Sequence, residues 1–314
     1  MKKTVIIALG GNALSPKREA GTINQQFKHT RDSLKAVMHF VNLEYNICIT
    51  HGNGPQVGAE LSKNEIAMDK IPPLPLNVLV ANTQGAIGYM IQQSLQNALY
   101  KVSSLREVVT FVSQMKINND DPSLKKPSKF IGKTYTKKTA SKLAEKYNWD
   151  ILEQEENQWR RVVPSPNPSY IFNGKSIKHL VDFGTIVIAG GGGGIPAYNR
   201  KDGVLKGIDG VVDKDKTAAL LGRIIKANEY FIITDVDNIF LNYNTDSEEK
   251  IDIATKSQVK EWLEEGHFGI GSMEPKIKSA LYFLKHHGDK VVITSINKLK
   301  EAIAGKAGTQ IIKD

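Results

Sequence analysis

The sequence predicts an α/β protein, a three-layer αβα sandwich around a mainly parallel open sheet, and three observations carry that reading. Six β-branched apolar runs of strand length recur along the 314 residues, bounded by Gly, Asn or Asp. Between them lie segments whose apolar residues repeat at helical spacing. Apolar runs without polar alternation are strands covered on both faces, which is the mark of a parallel sheet clothed by helices.

The first run is "TVIIALGG" (4–11), followed by a helix in which Ile23, Phe27, Leu34, Met38 and Val41 recur three, four and seven residues apart. "NICIT" (46–50) is the second run, and a helix is expected at about 77–100. The strands "VVTFVSQM" (108–115) and "TIVIAGG" (185–191) come next, then a helix near 215–227. "YFIITDVD" (230–237), helices near 256–265 and 274–287, and "KVVITSI" (290–296) complete the pattern. One segment departs from it. From 118 to 173 the chain carries "NNDDPSLKKPSKF", a polar helix candidate "TKKTASKLAEKYNW" and the proline-rich "VVPSPNPSYI". A stretch this long without a clear buried strand points to a functional, loosely packed element.

A hydrophobic content of 40% suits one large domain or two average ones. No run approaches the roughly 20 apolar residues of a membrane helix, and Gly10 and Gly11 cut the first run too short for a signal peptide. The single cysteine, Cys48, lies inside "YNICIT" and reads as core packing in a reducing compartment. Net charge is +9, from 42 Lys and Arg against 33 Asp and Glu, which favours anionic partners. Nucleic acid is not favoured, because the lysines are dispersed and no arginine-aromatic array appears.

Three glycine turns follow strands: "LGGNAL" (9–14), "THGNGPQVG" (50–58) and "IAGGGGGIPA" (188–197). In open parallel sheets ligands bind beyond the carboxyl ends of the strands, where glycine lets backbone amides close on an anion. Three such turns imply several phosphate or carboxylate groups. The dinucleotide pattern G-x-G-x-x-G fails because position 195 is Ile. "GKT" (132–134) and "GKS" (174–176) lack the first glycine of a P-loop, which is Pro127 in one and Ser169 in the other. No His or Cys spacing suits zinc, and His286 with His287 reads as solvated.

Three lysines stand apart from the solvated helix faces. Lys214 lies between Asp213 and Asp215 at a helix start, Lys276 follows Pro275 in "SMEPKIKSALYFL", and Lys129 sits in the charge run "KKPSKFIGK". Asp213 or Asp215 could orient Lys214, and both also suit helix capping. Asp235 closes the strand "YFIITD", Asp237 reads as a turn residue, and His51 is assigned a structural role.

"ALGGNAL", "THGNGPQVG", "TQGAIGYMIQQSLQNAL", "WRRVVPSPNP", "IVIAGGGGGIPA", "VVDKDKTAALL", "TDVDN" and "GSMEPKI" resemble, in order and spacing, the motifs of the carbamate kinases within the amino acid kinase superfamily. The resemblance implies a single domain of the amino acid kinase fold over 1–314 and reversible phosphoryl transfer between Mg-ATP and carbamate, giving ADP and carbamoyl phosphate. It further implies use for ATP formation in arginine catabolism, a Mg2+ requirement, a cytoplasmic homodimer, and no membrane or nucleic-acid partner. It places Lys214 and Lys276 on the transferred phosphate, with Asp213 or Asp215 orienting Lys214, and puts Lys129 on a protruding lid over 118–173. Gly10, Gly11, Asn12, Gly52, Asn53 and Gly54 would hold carbamate or carbamoyl phosphate. Gly191, Gly192, Gly193, Asp235, Tyr243 and Met273 would hold nucleotide, within a half spanning about 180–314. The family usually reads Lys-Pro-Ile-Gly where this chain has Lys-Phe-Ile-Gly at 129–132. Acetylglutamate and nucleoside-monophosphate kinases of the superfamily would need a larger substrate pocket, and a catalytically silent nucleotide-binding regulator would not need all three lysines.

The chemistry agrees with the residues. Carbamate is already an oxyanion nucleophile, so no general base is required; the obstacle is anion meeting anion. Two unit charges ~4 Å apart repel by about 4 kcal/mol at an effective dielectric near 20, roughly a thousandfold in rate. Lysines, glycine amides and magnesium answer that barrier.

Overall fold

The structure, a computed structural model, describes residues 2–14, 19–269 and 273–314, with Asn12 and Ala13 described by backbone alone. Its centre is an eight-stranded sheet in the order Ile253–Thr255, Thr309–Ile312, Lys290–Ser295, Glu229–Thr234, Thr4–Leu9, Asn46–His51, Ile186–Ile188, Val108–Thr110. All neighbours pair in parallel except Lys290–Ser295 with Thr309–Ile312. Along the first strand Ile6 and Ala8 face a core completed by helices Gly174–Phe183, Lys214–Ile225 and Glu274–His286. Val5, Ile7 and Leu9 face the other core, under helices Ile23–Asn42 and Leu76–Lys101. With both faces covered, every residue of that strand is buried, and each large aliphatic side chain contributes roughly 1.5–3 kcal/mol by leaving water. The run is continuously apolar for this reason. Cys48 belongs to the first core, and burial pushes its thiol pKa up to about 12, leaving it inert.

Strand Thr4–Leu9 is the point where chain order reverses, with the second strand on one side and Glu229–Thr234 on the other. The crevice rule for open sheets therefore places a ligand beyond Leu9. The turns there are tied together: the Gly10 amide donates to the Ile233 carbonyl at 3.0 Å, and the Gly52 amide to that of Leu9 at 2.9 Å.

Two expectations change. The run 108–115 is not one strand. Val108–Thr110 ends the main sheet, whereas Gln114–Ile117 joins a second sheet in the order Leu205–Gly207, Ile195–Asn199, Gln114–Ile117, Pro168–Ile171. The carboxamide of Gln84 forces the break by bonding both sides of Ser113, accepting from its amide at 2.6 Å and donating to its carbonyl at 3.2 Å. The segment 118–173 is also more ordered than its polarity suggests. It holds a three-stranded antiparallel sheet, in the order Lys129–Tyr135, Gln158–Val163, Asp150–Glu155, beside helix Lys137–Tyr147. Ile131 and Val163 of this sheet are buried with Val57, Leu61 and Leu79 of the main body. Ion pairs flank that contact, Lys133 to Glu65 at 3.1 Å and Arg161 to Asp209 at 3.5 Å. Among the described residues no helix is long and apolar enough to cross a membrane.

Candidate active site

The pentaglycine turn is built for close approach. Gly190, Gly192, Gly193 and Gly194 all have positive φ, between 63° and 85°, which side chains rarely adopt. Space is equally restrictive. A Cβ on Gly191 would lie 2.4 Å from His51 Nε2, one on Gly192 2.3 Å from Asn53 Nδ2, and one on Gly193 1.9 Å from the Val212 carbonyl oxygen. Hydroxyl groups from three other segments pin the turn: Ser113 Oγ accepts from the Gly190 amide at 2.8 Å, Thr50 Oγ1 donates to the Gly190 carbonyl at 2.9 Å, and Thr217 Oγ1 to the Gly193 carbonyl at 2.7 Å. Sequence reasoning assigned none of these three. Their only signal was a Ser or Thr beside a quoted motif.

The same packing joins the other two turns. A Cβ on Gly52 would meet the Gly11 amide nitrogen at 2.7 Å, so the "GGN" and "HGNG" backbones touch directly. Asn53 stands at the N-cap of helix Gly54–Ala67 without capping it; its carboxamide donates to Thr83 Oγ1 at 2.9 Å and lies against Gly192. That leaves the helix's first amides available to an anion. The Asn12 side chain lies outside the described residues.

His51 is 1% exposed, and its Nδ1–H donates to the Gly52 carbonyl at 3.0 Å. Burial pushes its pKa down to about 4; the Gly52 carbonyl opposes the fall and the Lys214 charge adds to it. The ring is therefore a neutral wall behind Gly191, which agrees with a structural role. Because the unfolded imidazole takes up a proton near pH 6.5 and the folded one does not, its contribution is complete above pH 6.5 and is lost as pH falls toward 4. The loss amounts to about 3 kcal/mol. In urea melts at pH 7 and pH 5, His51→Gln should lose less stability than wild type between the two pH values; equal losses contradict this account.

The centre of the site is Asp215, 4% exposed. Lys214 Nζ lies 2.7 Å from its Oδ1 and Lys276 Nζ 3.4 Å from its Oδ2. Burial alone would raise the Asp215 pKa, but the two ammonium charges outweigh it and hold the carboxyl below the usual range. The Lys214 contact, at 2.7 Å, is the closer of the two ion pairs. Asp213 does something different. Its carboxylate accepts from the amides of Asp215 at 2.9 Å and Lys216 at 3.2 Å, capping helix Lys214–Ile225. Of the two acids considered for orienting Lys214, the ion pair belongs to Asp215, and Asp213 fixes the helix start.

Two cavities open at this edge of the molecule, and Lys276 lines the second of them. One, about 620 Å³, is lined by Asn53, Gly54, Lys129, Phe130, Gly132 and Arg160. The other, about 760 Å³, is lined by Asp235, Asn238, Tyr243, Gly269, Met273 and Lys276. Lys276 thus links the second cavity to Asp215, and Asn53 links the first to the pentaglycine turn. Gly191, Gly192 and Gly193 line neither cavity, and Gly192 reaches the first only through Asn53. Ile270, Gly271 and Ser272, within the motif "GSMEPKI" and its approach, lie outside the described residues.

A parallel sheet whose carboxyl edge presents glycine cradles and paired lysines, one of them lining a cavity, defines a phosphotransferase site. The sequence matches the amino acid kinase family over residues 3–295. It is 40% identical over 313 residues to carbamate kinase of Pyrococcus horikoshii, covering 99% of both chains, and 40% identical over 312 residues to that of Staphylococcus epidermidis, covering 98% of this chain and 99% of the relative. Carbamate kinase from Giardia lamblia bound to AMP-PNP superposes with a TM-score of 0.94 at 37% identity, covering 100% of this chain and 99% of that one. The chain belongs to the amino acid kinase family and, within it, to the carbamate kinases.

Proposed function

We propose that the protein transfers a phosphoryl group reversibly between ATP and carbamate, forming ADP and carbamoyl phosphate, and that in the cell it makes ATP at the end of arginine breakdown. The observation that carries this reading is the pair Lys214 and Lys276 held on one buried carboxylate, Asp215, with Lys276 also lining the cavity of Asp235. In this reading nucleotide occupies the cavity of Asp235, Tyr243 and Met273, and carbamate that of Asn53, Gly54 and Lys129. Transfer takes place between them. The carbamate oxygen attacks with no proton to lose, so the site's task is to hold two anions together and stabilise charge on the moving group. Asp215 holds both lysines at one point, while the amides of Gly11, Gly191 and Gly192 fix the oxygens.

Magnesium enters as the nucleotide's counter-ion, supplying positive charge across its phosphates. Lys214 and Lys276, both held on Asp215, would share that task from the protein side.

A 620 Å³ cavity far exceeds carbamoyl phosphate. The sheet carrying Lys129 therefore acts as a lid that closes when this ligand binds. The protein is a cytoplasmic homodimer in this reading; the dimer is supported by the uncharged exposed face of helix Leu76–Lys101, formed by Val78, Asn82, Ala86, Tyr89, Gln93, Gln96 and Tyr100.

Purified protein supplied with carbamoyl phosphate and MgADP should form ATP, and should stop when the divalent ion is chelated. Folded protein that forms no ATP above a no-enzyme control, with magnesium in excess, contradicts the proposal.

A further inference from the structure

We propose that Arg160 is a positioning residue for the reaction, aiming Lys129 by holding its strand at the Phe130 ring and the Gly132 carbonyl. The inference rests on the reading of Lys129 as a substrate contact. Strand Lys129–Tyr135 pairs with Gln158–Val163 at Ile131↔Arg161 and again at Tyr135↔Trp159, with a register shift between. Three residues, 132 to 134, therefore face Arg160 alone. Gly132 turns at a φ of +67° in this bulge, where regular ladder bonds cannot hold the strand.

The Arg160 side chain takes the ladder's place. Its Nη2 donates to the Gly132 carbonyl at 2.7 Å, its Nη1 donates to Gln154 Oε1 at 2.9 Å in the third strand, and its guanidinium carbon lies 5.9 Å from the centroid of the Phe130 ring. One planar group thus ties three strands, through donor geometry and a stacking surface that lysine does not offer.

Alternation along the strand converts this into aim. Phe130 and Gly132 lie on one face, Lys129 and Ile131 on the other. Ile131 is buried against the body with Val57 of helix Gly54–Ala67. Lys129, two residues earlier on that same face, lines the cavity that Asn53 and Gly54 share, and Phe130, Gly132 and Arg160 line that cavity too, beside Lys129. Lys129 is exposed and long, so its placement depends on a fixed backbone beneath it. Arg160 and Ile131 fix that backbone from its two faces.

A double-mutant cycle tests the proposal, using wild type, Arg160→Met, Lys129→Met and the double variant with carbamoyl phosphate and MgADP. Arg160→Met should lower kcat/KM for carbamoyl phosphate by about tenfold, as a misplaced contact does, while KM for MgADP stays within about twofold. In the Lys129→Met background the same change should cost less than about twofold, because its effect acts through Lys129. Arg160→Lys, which keeps the charge without the fork, should not restore the rate. Equal losses in both backgrounds overturn the inference, as does a parallel rise in KM for MgADP. If Arg160→Met fails to fold, Phe130→Leu replaces it, with a loss of about threefold expected only where Lys129 is present. A Lys129→Met enzyme that loses nothing overturns the reading of Lys129 and this inference with it, whereas an additive cycle overturns this inference alone.

Discussion

Replacing Lys214 or Lys276 with alanine is expected to lower kcat by about a hundredfold or more, the scale seen when one stabilising donor is removed from a transition state. Each lysine side chain is more than four-fifths buried and pairs with Asp215. Losing either one removes positive charge where the transferred group passes, in surroundings that screen poorly. Stability should respond far less. After either substitution Asp215 retains one lysine, so the melting temperature should fall by no more than a few degrees, at roughly 2–4 °C per kcal/mol for a chain of this size. Asp215→Ala should behave differently, leaving two ammonium groups facing each other without a counter-charge and reducing kcat and melting temperature together. Steady-state kinetics beside thermal melts separate the cases. A Lys214→Ala or Lys276→Ala protein that unfolds, or one with near wild-type kcat, would show that the lysine in question serves the fold.

Gly193→Ala is expected to be the most destabilising single methyl in the site. The residue has a φ of +85°, and its new Cβ would meet the Val212 carbonyl oxygen at 1.9 Å, backbone against backbone. Strain at such a φ costs about 1–3 kcal/mol, and the overlap adds a shift of the 211–214 segment that carries Lys214. We expect a loss of roughly 4 kcal/mol or more, with activity lost even in the folded fraction. Gly203→Ala supplies the control, since Gly203 has a φ of +80° but nothing within 4 Å of a new Cβ. It should lose only about 1 kcal/mol, the conformational part alone. Denaturant titrations of the two variants measure the difference. Similar losses would mean that conformation and not close packing makes glycine necessary at 193.

The sheet was legible in the sequence because burial on both faces leaves an unbroken apolar run, as Thr4–Leu9 and Glu229–Thr234 show. Where burial gives way to polar pairing the signal fails. The break after Thr110 depends on Gln84, which lies in another element. Strand Thr309–Ile312 is four residues long, too short for a pattern to emerge. The three-stranded sheet within 118–173 is mostly exposed, so its strands carry no apolar alternation, and only Ile131 and Val163 reveal its contact with the body. Within the site, Lys214 and Lys276 could be named from their neighbours in sequence. Choosing Asp215 over Asp213 could not, because capping and ion pairing use the same carboxylate chemistry and only the helix geometry distinguishes them. The hydroxyls that pin the pentaglycine and the Arg160 clasp are tertiary contacts, invisible to local pattern.

The most direct test of the central claim, that Lys214 and Lys276 on Asp215 form the transfer point between two substrate cavities, is a crystal structure of the protein with MgADP and a planar phosphoryl mimic. The account predicts the nucleotide base beside Asp235, Tyr243 and Met273, and the mimic within hydrogen-bond reach, about 2.7–3.2 Å, of both lysine Nζ atoms. A mimic bound beyond the reach of either lysine, or a nucleotide seated in the cavity of Lys129 and Arg160, would contradict it.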